Sequence, residues 1–183
     1  ILDERFIFLK GALESTRAER QSGIAGKLIE KENVRSSDAA IIISNSGRNA
    51  APVEMALEMK KLGVPVIAIT SLEQSRASTS RHASGKRLFE IADVSIDNCV
   101  PAGDALINIP GSESSTGASS TVAGSAIMHS IIIAALADLA GRGINPPVLP
   151  SANMENAEAD TLRDILRPFA GRIKYFDIET QIP

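Results

Sequence analysis

The sequence predicts an α/β protein, a three-layer, doubly wound parallel sheet flanked by helices. Two observations predict it. Short, unbroken apolar runs alternate with stretches of helical period, the pattern of strands buried on both faces and joined by crossover helices. Those runs pass into turns rich in serine, threonine and asparagine, at the strand ends where open parallel sheets collect ligands.

In chain order, Ile24, Leu28 and Ile29 recur at helical spacing and predict a helix from about Arg20 to Glu32, after a charged, solvated run from Glu14 to Arg20. Ala39 to Ile43, with Ile41, Ile42 and Ile43 in a row, is the central strand. Ser44-Asn45-Ser46-Gly47 is the turn after it. The helix to Lys61 follows, with Pro52 in its first turn, where a missing N–H costs nothing. Lys60, Lys61 and then Gly63 mark its end. Val64 to Thr70 is the second strand and ends in Thr70-Ser71.

Ser75 to Lys86 is polar and reads as a long loop carrying Arg76, Arg81, His82 and Lys86. Leu88 to Ala92 is a short helical turn, Asp93 to Asp97 a third strand and Ala105 to Ile109 a fourth. The serine- and glycine-rich stretch Gly111 to Ser120 runs into an apolar helix, 122–140. A final amphipathic helix spans Ala157 to Arg167, and a last edge strand Arg172 to Ile178. The chain reads as one domain, with 1–37 a leading helical segment and 38–178 the core.

Composition narrows the function. At 183 residues and a net charge of −3, with 3% aromatic residues, there is little to attract or stack nucleic acid. Cys99 is the lone cysteine, and the two histidines, His82 and His129, are far apart, so neither a metal site nor a cofactor is expected. Helix 122–140 is broken by Ser125, His129, Ser130 and Asp138 and reads as a buried helix rather than a membrane span. A cytoplasmic location is the default, with no membrane partner. The chain opens on Ile1 instead of methionine and reads as a piece of a longer product.

The functional signal is the turn after the central strand. A strand, a small polar turn and a helix N-terminus make an anion site, because unpaired N–H groups and the helix dipole point at one spot. The alternative is a serine or asparagine cap that only satisfies the helix end. The stretch 111–121 repeats the same logic at the start of helix 122–140. Glu54 and Glu113 are carboxylates near these two loops, and His82 lies in the long polar one.

Ile-Ser-Asn-Ser-Gly-Arg-Asn at 43–49 and Ser-Arg-His-Ala-Ser-Gly-Lys-Arg-Leu at 80–88 resemble motifs of the sugar isomerase (SIS) domain family. So do 91–105, Ser-Thr-Val-Ala-Gly at 120–124 and Asn-Pro-Pro-Val at 145–148. The resemblance runs from Ile1 to about Phe176, to a bacterial subgroup described as phosphosugar-binding and phosphoheptose-isomerase-like. It implies a phosphorylated sugar held by Ser44, Asn45, Ser46, Gly47, Arg48 and Asn49, helped by Thr70, Ser71, Ser119, Ser120 and Thr121. It implies pairing into a homodimer or higher oligomer. His82, Glu113 and Glu54 are the candidates for proton transfer in an aldose–ketose isomerisation. The competing readings are a phosphosugar sensor without turnover and a truncated fragment. Two departures weigh on catalysis: relatives carry a further strand in the middle of the sheet, ending in a Gly-Thr-Gly-His-Ser-like turn, which is expected to lie outside this chain. They also carry a His-Glu pair where this chain has Leu9-Lys10.

Overall fold

Three short segments, each with β-branched residues, form the parallel sheet. In the computed structural model, which describes residues 11–151 and 159–172, Ala40–Ile43 (β1), Val66–Thr70 (β2) and Val94–Asp97 (β3) pair in parallel in the order β1-β2-β3. Register runs Ala40 with Val66 to Ile43 with Ile69, then Ile67 with Val94 to Thr70 with Asp97. β2, in the middle, is the most buried: Val66, Ala68, Ile69 and Thr70 are all inaccessible to solvent. The α/β class is as expected, a parallel sheet flanked by helices.

Ala50–Lys61 (α3) is the crossover from β1 to β2. Its Ala56 and Met59 pack with Val64, Val66, Ala68, Leu88 and Ile29 in the main core. Each of the larger side chains, Ile29, Met59, Val64, Val66 and Leu88, contributes on the order of 1.5–3 kcal/mol by leaving water. Ala12–Arg20 (α1) and Ala25–Glu30 (α2) lie against α3, where Ala18, Ile24 and Leu28 form a second cluster. The helix expected over 20–32 is thus shorter, 25–30, and the charged run 14–20 before it lies in a helix of its own. Gly23 takes a positive φ of 80°, and both Gly23 and Ala25 donate their backbone N–H to the Glu54 carboxylate at 2.8–3.0 Å. A carboxylate at that point starts α2 afresh.

Leu72–Ala77 (α4) follows β2, capped by Ser71, whose Oγ accepts from Gln74 N at 3.2 Å. Ser75 thus belongs to a helix and is fully buried, so the polar loop begins at Ser78 rather than Ser75. That loop is tied down at its far end by Arg87. Its Nη1 donates to the carbonyls of Ser75, Arg76 and Ser78 at 3.1–3.4 Å, while Nε and Nη2 each bond the Glu90 carboxylate at 2.9 Å. This paired grip holds Glu90 at a pKa of about 2, well below the usual carboxylate range.

Ala105–Asn108 (β4) forms as expected but stands outside the parallel sheet. It pairs antiparallel with Ser115–Ala118 (β5), Ala105 opposite Ala118 and Asn108 opposite Ser115. The reason is length. Residues 98–104 are too few for a parallel crossover, which takes a dozen or more, whereas 109–114 suffice for a hairpin. A strand of sequence Ser-Thr-Gly-Ala carries almost no β signal.

The chain divides into two compact units, residues 1–129 and 130–183. Ser119–Gly141 (α5) continues from the first into the second. The expectation of a buried helix fails here. Only Gly124 is buried, while Val122 is 73% and Ile133 65% exposed. No described layer covers the apolar side chains of α5, and by length and composition alone it is able to cross a membrane. His129 is exposed. In the second unit α5 ends at Gly143, with φ 75°, where Ile144 N bonds Leu139 O at 3.0 Å. Ala159–Leu166 (α6) matches the expected final helix, and its Leu166 is buried. The strand expected at 172–178 lies, apart from Arg172, outside the described residues.

Candidate functional site

The turn Ser44-Asn45-Ser46-Gly47 joins β1 to α3 and is built from beneath. Asn45 O accepts from Ser71 N at 2.9 Å and from Thr70 Oγ1 at 3.0 Å. Asn45 also links sideways, its Nδ2 to Gln74 Oε1 and its Oδ1 from Asn98 Nδ2, both at 2.8 Å. Ser71 Oγ donates to Val100 O at 2.6 Å. Thr70 and Ser71 are fully buried with these bonds made. They are the loop's foundation, and their hydroxyls are engaged within the protein.

Gly47 is the position that only glycine fits. Its φ is 57°, and a Cβ there would stand 3.0 Å from both Ser75 Oγ and Thr70 Oγ1. Its carbonyl accepts from Leu88 N at 2.8 Å, which ties the turn to a residue of the main core.

The upper side of the turn is different. The hydroxyls of Ser44 and Ser46 make no hydrogen bond among the described residues. Asn49, the N-cap residue of α3, does not cap it. Its Oδ1 instead accepts from Arg81 Nη1 at 2.7 Å. Pro52 brings no N–H to the first turn, so the donors left at the helix start are those of Asn49, Ala50 and Ala51. Arg48 is half-buried. Its Nη2 donates to Thr79 Oγ1 at 3.1 Å, its carbonyl accepts from Arg81 N at 2.8 Å, and its Nε is buried with no partner. Arg81 has its pKa lowered by partial desolvation, then by the nearby charges of Arg48 and Arg20, against a smaller opposing influence of Glu19. This is a basic, donor-rich, unfilled helix N-terminus.

The second serine-rich stretch has another arrangement. Asp104, in the left-handed region at φ 69°, brings its carboxylate to the start of α5. Ser120 N and Ser120 Oγ donate to it at 2.6 and 2.7 Å, and Ser119 Oγ donates to the Asp104 carbonyl at 2.8 Å. Burial pushes the Asp104 carboxyl up, but the Ser120 and Ser119 bonds outweigh it and hold the pKa below the usual aspartate value. A resident anion already fills this terminus. Ser119 and Ser120 are occupied, whereas Thr121 is exposed.

Two clefts meet at Ile43. One, of about 750 Å³, runs along β1 and is lined by Ser44, Ala51, Pro52, Met55 and Met59. The other, of about 330 Å³, is lined by Ser120, Thr121, Gly124, Met128 and His129. Ile43 lines both clefts, so the two serine-rich stretches each border it, but they do not line one cleft in common.

The proton-transfer candidates are dispersed. Glu54 is engaged in starting α2. Glu113 is exposed in the turn between β4 and β5. His82 follows Arg81 directly, and its Nδ1 lies 3.1 Å from Ser84 N and 2.9 Å from Ser84 Oγ. No cluster of three or more histidine, cysteine, aspartate or glutamate side chains suited to a metal occurs among the described residues. Sequence reasoning named Arg81 only as a residue of the long polar loop and passed over Asp104. Both act through contacts 15 or more positions away, at 32 residues from Asn49 and 16 from Ser120, and no local pattern marks them.

Residues 1–71 match the model of the SIS domain. A UPF0309 protein of Geobacillus thermodenitrificans is 40% identical over 163 residues, 89% of this chain and 66% of that protein. UPF0309 proteins of Thermoanaerobacter pseudethanolicus and Caldanaerobacter subterraneus are 37% and 34% identical over 177 residues, 96% of this chain and 71% and 72% of theirs. The chain spans 60% of the matched relative from Halalkalibacterium halodurans and 66% of the Geobacillus protein. On these matches, and on the parallel α/β sheet beneath the Ser44–Asn49 turn, the chain belongs to the UPF0309 family of SIS-domain proteins.

Proposed function

We propose that this protein binds a phosphorylated sugar, with the phosphate seated at the N-terminus of α3. The observation that carries this is the contrast within one turn. Ser44 and Ser46 keep unengaged hydroxyls above a foundation in which Thr70 and Ser71 are fully bonded, and the N-cap side chain leaves the helix donors open. Phosphate at such a terminus is stabilised by N–H groups, hydroxyls and the helix dipole, with no metal required.

As an enzyme, the protein is a sugar-phosphate isomerase of the aldose–ketose type, phosphoheptose-isomerase-like, in which a base moves the proton between C2 and C1. His82 is the titratable group nearest in sequence to the arginine at the helix start and is the residue assigned to proton transfer. A second reading is a phosphosugar sensor without turnover. It is favoured by the engagement of Glu54 with α2 and by the exposed place of Glu113 on the hairpin. A panel of aldose and ketose phosphates decides between them, followed by isothermal titration for binding and NMR for interconversion. Binding with interconversion selects the enzyme, binding alone the sensor, and no binding by any sugar phosphate ends both.

The protein works in the cytoplasm as a homodimer or larger oligomer, with the uncovered apolar side chains of α5 as the pairing surface. Helix side chains such as Val122 and Ile133 are otherwise left in water. Sedimentation at micromolar concentration is expected to show at least a dimer; a monomer refutes the pairing.

A further inference from the structure

The arginine at position 81 has no role in the donor set just described, yet the fold spends three contacts on placing it. Its backbone N–H is bonded to Arg48 O at 2.8 Å, its guanidinium to Asn49 Oδ1 at 2.7 Å, and its loop is closed by Arg87 against the end of α4. The result is unfavourable for the protein alone. A guanidinium stands at the positive end of a 12-residue helix, beside a second guanidinium whose Nε is buried without a partner. No ion pair among the described residues engages either Arg48 or Arg81. Like charges held together at a cationic pole are stabilised when an anion joins them.

We propose that Arg81, with Arg48 beside it, is the cationic half of the phosphate site and makes it select a phosphate monoester dianion over singly charged anions. This rests on the phosphosugar reading above and deepens it. The hydroxyls of Ser44 and Ser46 and the helix donors fit any oxyanion. Arg20 and Glu19, the other charges that act on Arg81, oppose each other, so the guanidinium charges of Arg48 and Arg81 match the two charges of a monoester near neutral pH, and charge number, rather than shape alone, sorts the ligands. Asn49 serves as the positioning residue, since its carbonyl oxygen faces Arg81 instead of capping its own helix.

The test uses methyl phosphate, a dianion, and dimethyl phosphate, a monoanion, titrated by NMR into the whole chain and its variants. The unaltered chain is expected to bind methyl phosphate at least tenfold more tightly than dimethyl phosphate. Arg81→Gln keeps an N–H for Asn49 Oδ1 and removes the charge. It is expected to weaken methyl phosphate about ten- to a hundredfold and dimethyl phosphate much less, with an unchanged unfolding midpoint. Arg81→Lys should recover part of the loss. If Arg81→Gln binds methyl phosphate within twofold of the parent while Ser46→Ala loses it, the role of Arg81 is overturned and the phosphate site stands. Equal affinity of the parent for the two esters also overturns the proposal. Failure of the parent to bind methyl phosphate overturns the site itself.

Discussion

The protein has two serine-rich helix starts, and they have opposite fates. At α5 the terminus is closed from within: Asp104 accepts from Ser120 N and Oγ, and the helix carries its own anion. At α3 the terminus is left open, because Asn49 turns to Arg81 and no carboxylate among the described residues takes its place. In sequence both are hydroxyl-rich loops before a helix. The difference is made by one acidic residue brought from 16 positions away and by one basic residue brought from 32. A helix N-terminus is a potential anion site everywhere, and what the rest of the chain places there decides whether it is a ligand site or a finished cap.

The comparison breaks most severely at Gly47. Gly47→Ala places a Cβ 3.0 Å from two buried hydroxyl oxygens at a φ of 57°, so the turn has to move. Strain of this kind costs on the order of 1–3 kcal/mol, and the open terminus is expected to lose phosphate binding altogether. Methyl phosphate titration together with a thermal melt checks this, and full binding by a protein of parental stability would show that the turn's shape is not required.

A smaller and opposite effect is expected at the closed terminus. Asp104→Ala should destabilise the protein by roughly 1–3 kcal/mol, the range for losing a cap and its charge-assisted bonds, and leave phosphate affinity within twofold. Because the folded pKa of Asp104 is lowered, its contribution is present above the unfolded aspartate value and fades as pH falls through the folded one. Urea denaturation of parent and variant at neutral and acid pH measures both. Should the variant lose phosphate affinity about tenfold or more, the two termini are one site and the contrast is wrong.

How much of this was legible in the sequence follows the range of the interactions. Ile41-Ile42-Ile43 and Val66 to Thr70 announced their strands because β-branched runs carry the signal locally. The turn at 44–47 announced itself for the same reason, through residue types that favour no regular structure. β5 did not, since Ser-Thr-Gly-Ala becomes a strand only by lying against Ala105 to Asn108. Nor did the functions of Thr70 and Ser71 as foundation, or of Glu54 as the start of α2, which depend on partners 25 to 31 residues distant. The exposure of α5 was hidden for a different reason. An apolar helix has the same composition whether its cover comes from its own chain or from another.

The grip of Arg87 has a kinetic meaning. By fastening the carbonyls at the end of α4 and the Glu90 carboxylate together, it holds the 78–87 arm in one shape before any ligand arrives. The conformational entropy of that arm is surrendered once, as the chain folds, instead of at every encounter. For the phosphate proposed above, association would then have no closing step to wait for, and the lifetime of its complex would be set by how quickly it leaves the helix start.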